Sequence, residues 1–207
     1  MVNFAALITD IALPDSLAQL PITELQLDSR CVKRGDLFVA LQGHQQDGRN
    51  YIASAIQSGA VAVLSHERNA RHHGEVQFVN GVPVIGFYAL DKQLSALAHR
   101  CYFSEAPLRT CMKVVGVTGT NGKSTVTHLM ASWLSLLGYR TAVMGTLGNG
   151  LVDAVSDNAL DLTASANTTG DAISIARQLA KCNRAGGYLS AMEASSQGLP
   201  QHGVAAV

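Results

Sequence analysis

Short apolar runs alternate with helical stripes along most of this chain. Ile22 to Leu27 and Asp36 to Leu41 read as strands. Asp47 can cap a helix that carries Ile52, Ala55 and Ile56 and ends near Gly59. Ala60 to Leu64 and Pro83 to Phe87 read as further strands, and Leu90, Leu94, Leu97, Ala98 and Cys101 then mark a helix. Ahead of these, Phe4, Leu7, Ile8 and Ile11 fall on one helical face. Ser104-Glu105-Ala106-Pro107 breaks the pattern and reads as a linker. Beyond it, Val114-Val115-Gly116-Val117 is a buried strand, and Val126, Leu129, Met130, Trp133, Leu134 and Leu137 recur at helical spacing up to Gly138, a stop signal. Arg140 to Met144 is the next strand, Ile173, Ala176, Leu179 and Ala180 the next helix, and Tyr188 to Met192 a strand that ends in Glu193. Gly145 to Gly170 is long, polar and glycine-containing, too long for an ordinary connection and therefore a functional candidate.

Strands that alternate with helices imply an α/β fold with mostly parallel sheets. The break at Pro107 divides it into domains at 1–106 and 107–207, sizes that 207 residues allow. The second half holds about three strands and two helices, a sheet that would expose an edge and an apolar face. The chain is therefore expected to be the front part of a longer protein or a truncated product.

Composition narrows the function. Hydrophobic residues at 47% support a real core, and charged residues at 14% fall below the usual ~25%. Fifteen acidic and fifteen basic residues cancel, so no global field attracts nucleic acid. No run approaches ~18 apolar residues, so no membrane insertion is expected. The N-terminus lacks a basic region and carries Asp10, which makes a poor signal peptide and points to the cytoplasm. Cys31, Cys101, Cys111 and Cys182 sit at no metal or redox spacing and read as reduced thiols. His66, His72 and His73 lie in a polar stretch and read as a solvated loop rather than a metal site.

Gly116-Val117-Thr118-Gly119-Thr120-Asn121-Gly122-Lys123-Ser124-Thr125 carries the clearest chemistry. Strand, glycine-rich turn and helix form a phosphate cradle in which backbone N–H groups and the positive end of the helix dipole face the anion. Lys123 can reach the β- and γ-phosphates of ATP, and the Ser124 hydroxyl can ligate Mg²⁺. The loop is a variant, because Val117 stands where the general pattern has its first glycine. Glu193, at the carboxyl end of a strand, lies on the rim where open α/β sheets bind ligands and can hold Mg²⁺ opposite Ser124. Ser195 and Ser196 follow without the glycines of a nucleophile elbow, so they suit polar contacts rather than covalent catalysis. Asp28-Ser29-Arg30 and Gly43-His44-Gln45-Gln46-Asp47-Gly48 are short polar loops at strand ends, each either a turn or a polar ligand site.

Together these segments resemble the Mur ligases, the cytoplasmic peptidoglycan amino-acid ligases. Gly119-Thr120-Asn121-Gly122-Lys123-Ser124 is similar to their ATP loop. Asp28-Ser29-Arg30, Gly35-Asp36-Leu37-Phe38-Val39-Ala40 and Asp47-Gly48 resemble their UDP-binding N-terminal domain. Asn167-Thr168-Thr169-Gly170 and Met192-Glu193-Ala194-Ser195-Ser196 resemble the branch that adds the third residue to UDP-N-acetylmuramoyl-L-alanyl-D-glutamate. His44-Gln45 and Met144-Gly145-Thr146 look like the meso-diaminopimelate-adding form rather than the lysine-adding one. The resemblance spans nearly the whole chain and implies a small N-terminal α/β UDP-binding domain, then the first part of a P-loop-type α/β ATPase domain. It also implies the chemistry: ATP phosphorylates the glutamyl γ-carboxylate, and an amino acid attacks the acyl phosphate. Leu27, Ser29, His44, Gln45 and Gln46 would contact the UDP-sugar, and Gly119, Thr120, Asn121, Gly122, Lys123, Ser124 and Thr125 would bind ATP. Asn167, Thr168, Thr169, Ser195 and Gln201 would hold the nascent peptide, and Ser124 and Glu193 would ligate Mg²⁺. Lys123 and Glu193 would be the catalytic pair, acting in a cytoplasmic monomer that serves cell-wall synthesis and, through it, cell shape and division.

Two positions depart from the family. Gln197 replaces a usual histidine, and Gly203 replaces a usual arginine that could pair bidentately with a substrate carboxylate. The resemblance also implies a C-terminal domain that binds the amino acid and a remainder of the ATPase domain, both outside these 207 residues, so the chain by itself is expected not to complete the ligation. Three alternatives stay open: the lysine-adding ligase, a folate polyglutamate synthase, and a non-catalytic nucleotide-binding remnant. Folate polyglutamate synthases lack the domain that carries Asp28-Ser29-Arg30.

Overall fold

The computed structural model describes residues 1–43, 46–103, 112–152 and 171–194. The chain divides into two compact units, Met1–Cys101 and Tyr102–Val207. The sequence-read linker at 104–107 lies outside the described residues.

The first unit opens with β1 (Val2–Asn3) and a single turn, α1 (Phe4–Leu7), followed by α2 (Asp15–Ala18) and β2 (Pro21–Ile22). The apolar face expected at the N-terminus is present, since Phe4, Leu7 and Ile8 are buried, but the helix that carries it is one turn long. Then come β3 (Leu25–Gln26), β4 (Leu37–Ala40), α3 (Ile52–Ser58), β5 (Ala62–Glu67), β6 (Val76–Val79), β7 (Val82–Tyr88) and α4 (Leu90–Phe103). The sheet order is β3-β4-β5-β7-β6, with β6 alone antiparallel. β4 is Leu-Phe-Val-Ala with all four residues buried, the continuous apolar run of a strand covered on both faces. Phe38 and Ala40 meet Ala55 and Val63 in one cluster, against which Ile52 and Ile56 of α3 pack. Gly59 ends α3 in the left-handed conformation at φ 111°, as its position after the helical stripe implies. The helix is shorter than its pattern, because Asp47 caps a 3₁₀ turn, Gly48–Tyr51, that precedes it. β6 escaped the sequence reading, since Val-Gln-Phe-Val is short and pairs only at the sheet edge.

The second unit contains β8 (Lys113–Val117), α5 (Lys123–Leu136), β9 (Thr141–Gly145), β10 (Gly148–Val152), α6 (Ala172–Arg184) and β11 (Leu189–Glu193). Its order is β10-β9-β11-β8, with β8, β11 and β9 parallel. β10 folds back antiparallel on β9 through Thr146-Leu147. The front of the Gly145 to Gly170 stretch is thus a tight hairpin rather than a polar connection, and 153–170 lie outside the described residues. α6 packs Ile175, Leu179 and Cys182 against Ala142, Met144 and Met192. Its first turn is capped by Asp171, whose carboxylate accepts from the Ser174 amide at 2.9 Å and its hydroxyl at 2.7 Å. Burial pushes the Cys182 thiol up, as suits a structural rather than a reactive cysteine.

α5 docks on the sheet through its small residues. Its large apolar stripe points to solvent: Leu129 is 65% exposed and Trp133 68%, and Val126, Leu136 and Leu137 are exposed too. The buried side is Thr127, Ala131 and Ser135. Ala131 packs on Val143 and Val152, and its carbonyl accepts from the Thr141 hydroxyl at 2.8 Å. Small residues let the helix backbone approach the strands closely, and the Thr127 hydroxyl is satisfied by the Lys123 and Ser124 carbonyls. Period alone says helix and cannot choose the docking face.

This face assignment is expected to show in stability. Ala131→Leu should overpack the helix–sheet contact and cost about 1–3 kcal/mol. Leu129→Ala should change stability by no more than about 0.5 kcal/mol, far from the ~2–5 of a buried leucine. Urea unfolding of both variants measures it, and the opposite ranking would return the apolar stripe to the core.

Candidate functional site

The phosphate-type loop leaves the sheet after Val117, the last residue of β8, and enters α5 at Lys123. Gly119 at φ 147° and Gly122 at φ 81° take backbone conformations that side-chain-bearing residues rarely adopt. Gly122 is the helix N-cap and no side chain caps the first turn, so those N–H groups have no side-chain competitor for an anion. The Lys123 ammonium folds back over the loop, donating to the Gly119 carbonyl at 2.7 Å and the Thr120 carbonyl at 3.4 Å. Ser124 follows half-buried, Thr125 is exposed, and Thr120 and Asn121 lie exposed within the loop.

Glu193 ends β11 in register with Val117, and the Ala194 amide donates to the Val117 carbonyl at 2.9 Å. The carboxylate therefore starts from the strand position beside the loop's origin. It is only 1% exposed. Its Oε1 accepts from the Thr146 amide at 3.0 Å and its Oε2 from the Thr146 hydroxyl at 3.1 Å. It lies against Gly145, where any Cβ would collide with Oε1, Cδ and Cγ of Glu193. The sequence reading singled out Met144-Gly145-Thr146 but not this contact, which joins residues 47 apart in the chain. The available donors are hard oxygens, the Ser124 hydroxyl and the Glu193 carboxylate, which suit Mg²⁺ held through one or two protein groups plus phosphate. Among the described residues no cluster of three or more His, Cys, Asp or Glu could hold a metal by itself.

In the first unit, β3, β4 and β5 each lead into a turn of the same design. Asp28, Asp47 and Asn69 accept, through a side-chain oxygen, the N–H two residues on, at Arg30, Arg49 and Arg71, over 2.9–3.0 Å. In the first two, the arginine also grips the carboxylate. Arg30 Nη2 lies 2.6 Å from Asp28 Oδ2, and Arg49 Nη2 lies 2.7 Å from Asp47 Oδ2. The Arg30 hydrogen bond lowers the Asp28 pKa, and the Arg49 hydrogen bond lowers that of Asp47 to about 2. The Asp-x-Arg repeat was visible in the sequence but went unread at Arg49. Ser29 is buried in the first turn, with Leu27 half-buried just before it. Gln46 is exposed in a tight loop closed by the Gly43 amide on the Gln46 carbonyl at 2.9 Å and the Gly48 amide on the Leu41 carbonyl at 2.7 Å. Asp36, buried, joins β3 to β4 by accepting from Gln26 Nε2 at 3.3 Å and the Lys33 amide at 2.9 Å.

The histidine stretch is less solvated than its composition suggests. His66 lies in β5 with Nε2 3.5 Å from Asp91, and His73 accepts the Tyr88 amide at 3.2 Å against the edge of Phe87. Only His72 is half exposed, and its hydrogen bond to Glu75 raises its pKa. His44, Gln45, Asn167, Thr168, Thr169, Ser195 and Gln201, with Gln197 and Gly203, lie outside the described residues.

Comparison with known proteins adds context to this geometry. The profile described as Mur ligase middle domain matches residues 117–207, and the one described as Mur ligase family, catalytic domain, matches 21–102. The UDP-N-acetylmuramoyl-L-alanyl-D-glutamate–2,6-diaminopimelate ligase of Haemophilus influenzae strain 86-028NP is 44% identical over 195 residues, 94% of this chain. The chain spans 38% of that relative's length. A solved structure titled as the same ligase superposes with a TM-score of 0.74 at 29% identity, over 100% of this chain and 38% of its own. The MurF ligase from Thermotoga maritima in complex with ADP shares the fold, with a TM-score of 0.50 at 22% identity over 89% of this chain and 34% of its own.

The Asp47 pair has a pH signature. Its folded-state pKa of about 2 lies below the ~3.9 of an unfolded aspartate, so its contribution is full above about pH 4 and fades as pH falls toward 2. The stability gap between wild type and Asp47→Asn is expected to be constant from neutral pH to about 4.5 and to narrow by about pH 3. Urea unfolding across that range measures it. A gap that stays level at low pH would remove the charge from the account.

Proposed function

The chain belongs to the Mur ligase family, and on that premise we propose that it forms the UDP-sugar-binding domain and the start of the ATP-binding domain of a diaminopimelate-adding ligase. The reaction is an ATP-dependent amide synthesis on UDP-N-acetylmuramoyl-L-alanyl-D-glutamate, by way of a glutamyl acyl phosphate. The observation that carries this reading is the pairing of an uncapped glycine loop at α5 with a buried carboxylate, Glu193, at the neighbouring strand end. Gly119 to Thr125 cradle the triphosphate, with the loop amides and the Lys123 ammonium facing the β- and γ-oxygens. Ser124 and Glu193 hold Mg²⁺, which when bound neutralises charge on the transferring phosphoryl group. Lys123 now caps loop carbonyls and would exchange those contacts for phosphate oxygens. Residues 1–106 form the UDP-sugar domain, with Leu27, Ser29, His44, Gln45 and Gln46 as its contacts. Asn167, Thr168, Thr169, Ser195 and Gln201 hold the peptide. The amino acid is meso-diaminopimelate, a reading supported by the 44%-identical relative, which is named as a 2,6-diaminopimelate ligase. The setting is the cytoplasm, and the whole protein is a monomer.

Two measurements test it. A charge-assisted hydrogen bond contributes about 1.5–3 kcal/mol, so Lys123→Ala is expected to weaken ATP binding about 10- to 150-fold by titration calorimetry. Equal affinities would remove the nucleotide assignment. A polypeptide of residues 1–106 is expected to unfold cooperatively, with a midpoint that rises with added UDP-sugar. A broad melt, or no shift at saturation, would count against a separate sugar-nucleotide domain.

A further inference from the structure

Met144-Gly145-Thr146 entered as a mark of the amino-acid branch, yet its place in the fold concerns a different group. Gly145 ends β9 on one side of β11, and Val117, origin of the phosphate loop, ends β8 on the other. Glu193 stands between them. Its carboxylate is buried, and no Lys or Arg pairs with it among the described residues. Among the described residues its polar partners both come from Thr146, one to each oxygen.

We infer that Thr146 is a positioning residue for the cation site at Glu193. A carboxylate on a glutamate side chain can turn about three bonds, and a cation ligand must present an oxygen in one direction. Two donors from one rigid hairpin turn fix the plane of the group. The absence of a Cβ at Gly145 gives it room to lie flat there. A carboxylate offers about four lone-pair sites. Thr146 occupies two, which leaves one on each oxygen for a metal ion. The turn itself is held, since the Gly145 amide donates to the Asn149 side chain at 3.1 Å and Gly148 pairs with Gly145. Thr146 need not touch substrate or metal to act. Groups that orient a metal ligand typically change metal affinity 10- to 100-fold when removed.

This inference rests on the nucleotide reading above, and its test separates the two. ATP is titrated into the full chain, once with Mg²⁺ and once with chelator, for wild type, Thr146→Val and Thr146→Ser. Thr146→Val keeps the amide and the shape but loses the hydroxyl donor. The gain in affinity that Mg²⁺ confers is expected to shrink about tenfold in Thr146→Val, with chelator values unchanged, and to return in Thr146→Ser. Equal loss with and without Mg²⁺ would make Thr146 merely structural and overturn the inference. So would a Thr146→Val that keeps the full Mg²⁺ gain. Thr146→Ala carries the same comparison if the valine variant melts early. A wild-type chain whose ATP affinity is indifferent to Mg²⁺ would overturn the metal reading first, and this inference with it.

Discussion

The turn from Val117 to Lys123 is the constraint on which the second unit depends. It must carry the chain from β8, whose residues are half-buried or exposed rather than buried as the apolar run implied, into a helix, with two glycines at positive φ and no side-chain cap on the helix start. At the start of α5 the Lys123 ammonium lies against the Gly119 and Thr120 carbonyls. Thr127, Ala131 and Ser135 then face the sheet, and the heavier residues face away. A helix free to choose would bury Leu129 and Trp133, since full burial of such side chains stabilises by about 1.5–3 kcal/mol each. Here the small residues take the sheet face instead.

Burial of Glu193 has the same logic. An isolated carboxylate away from water is costly unless hydrogen bonds replace its hydration. The Thr146 amide and hydroxyl supply two of them, and the cost of burial is tolerated where a strand end, a hairpin and the phosphate loop converge. Among the described residues no Lys or Arg pairs with Glu193, so an ion pair does not account for its burial.

The first unit solves a different problem. Parallel strands must leave the sheet at the same edge, and three successive exits use one device, an Asx turn closed by the amide two residues on. The device is local, so each turn folds without help from the rest of the sheet. In two of the three the arginine side chain also binds the carboxylate and holds its pKa low. The turns so formed are polar.

Much of this was legible in the sequence because it is local. The α/β alternation, Gly59 and Gly138 as helix stops, the loop at Gly119 to Ser124, and Glu193 at a strand end all follow from spacing of a few residues. The edge strand β6 and the hairpin strand β10 were not legible, because short strands take their identity from the partner they pair with. The docking face of α5 was not legible, because periodicity reports amphipathicity and not which residues meet the sheet. The clamp of Thr146 on Glu193 was invisible, since nothing in a sequence of 207 residues ties positions 146 and 193 together. Local chemistry determines which turns and helices form. Only the parallel order β9-β11-β8 brings a hairpin turn, a carboxylate and the glycine loop to one edge.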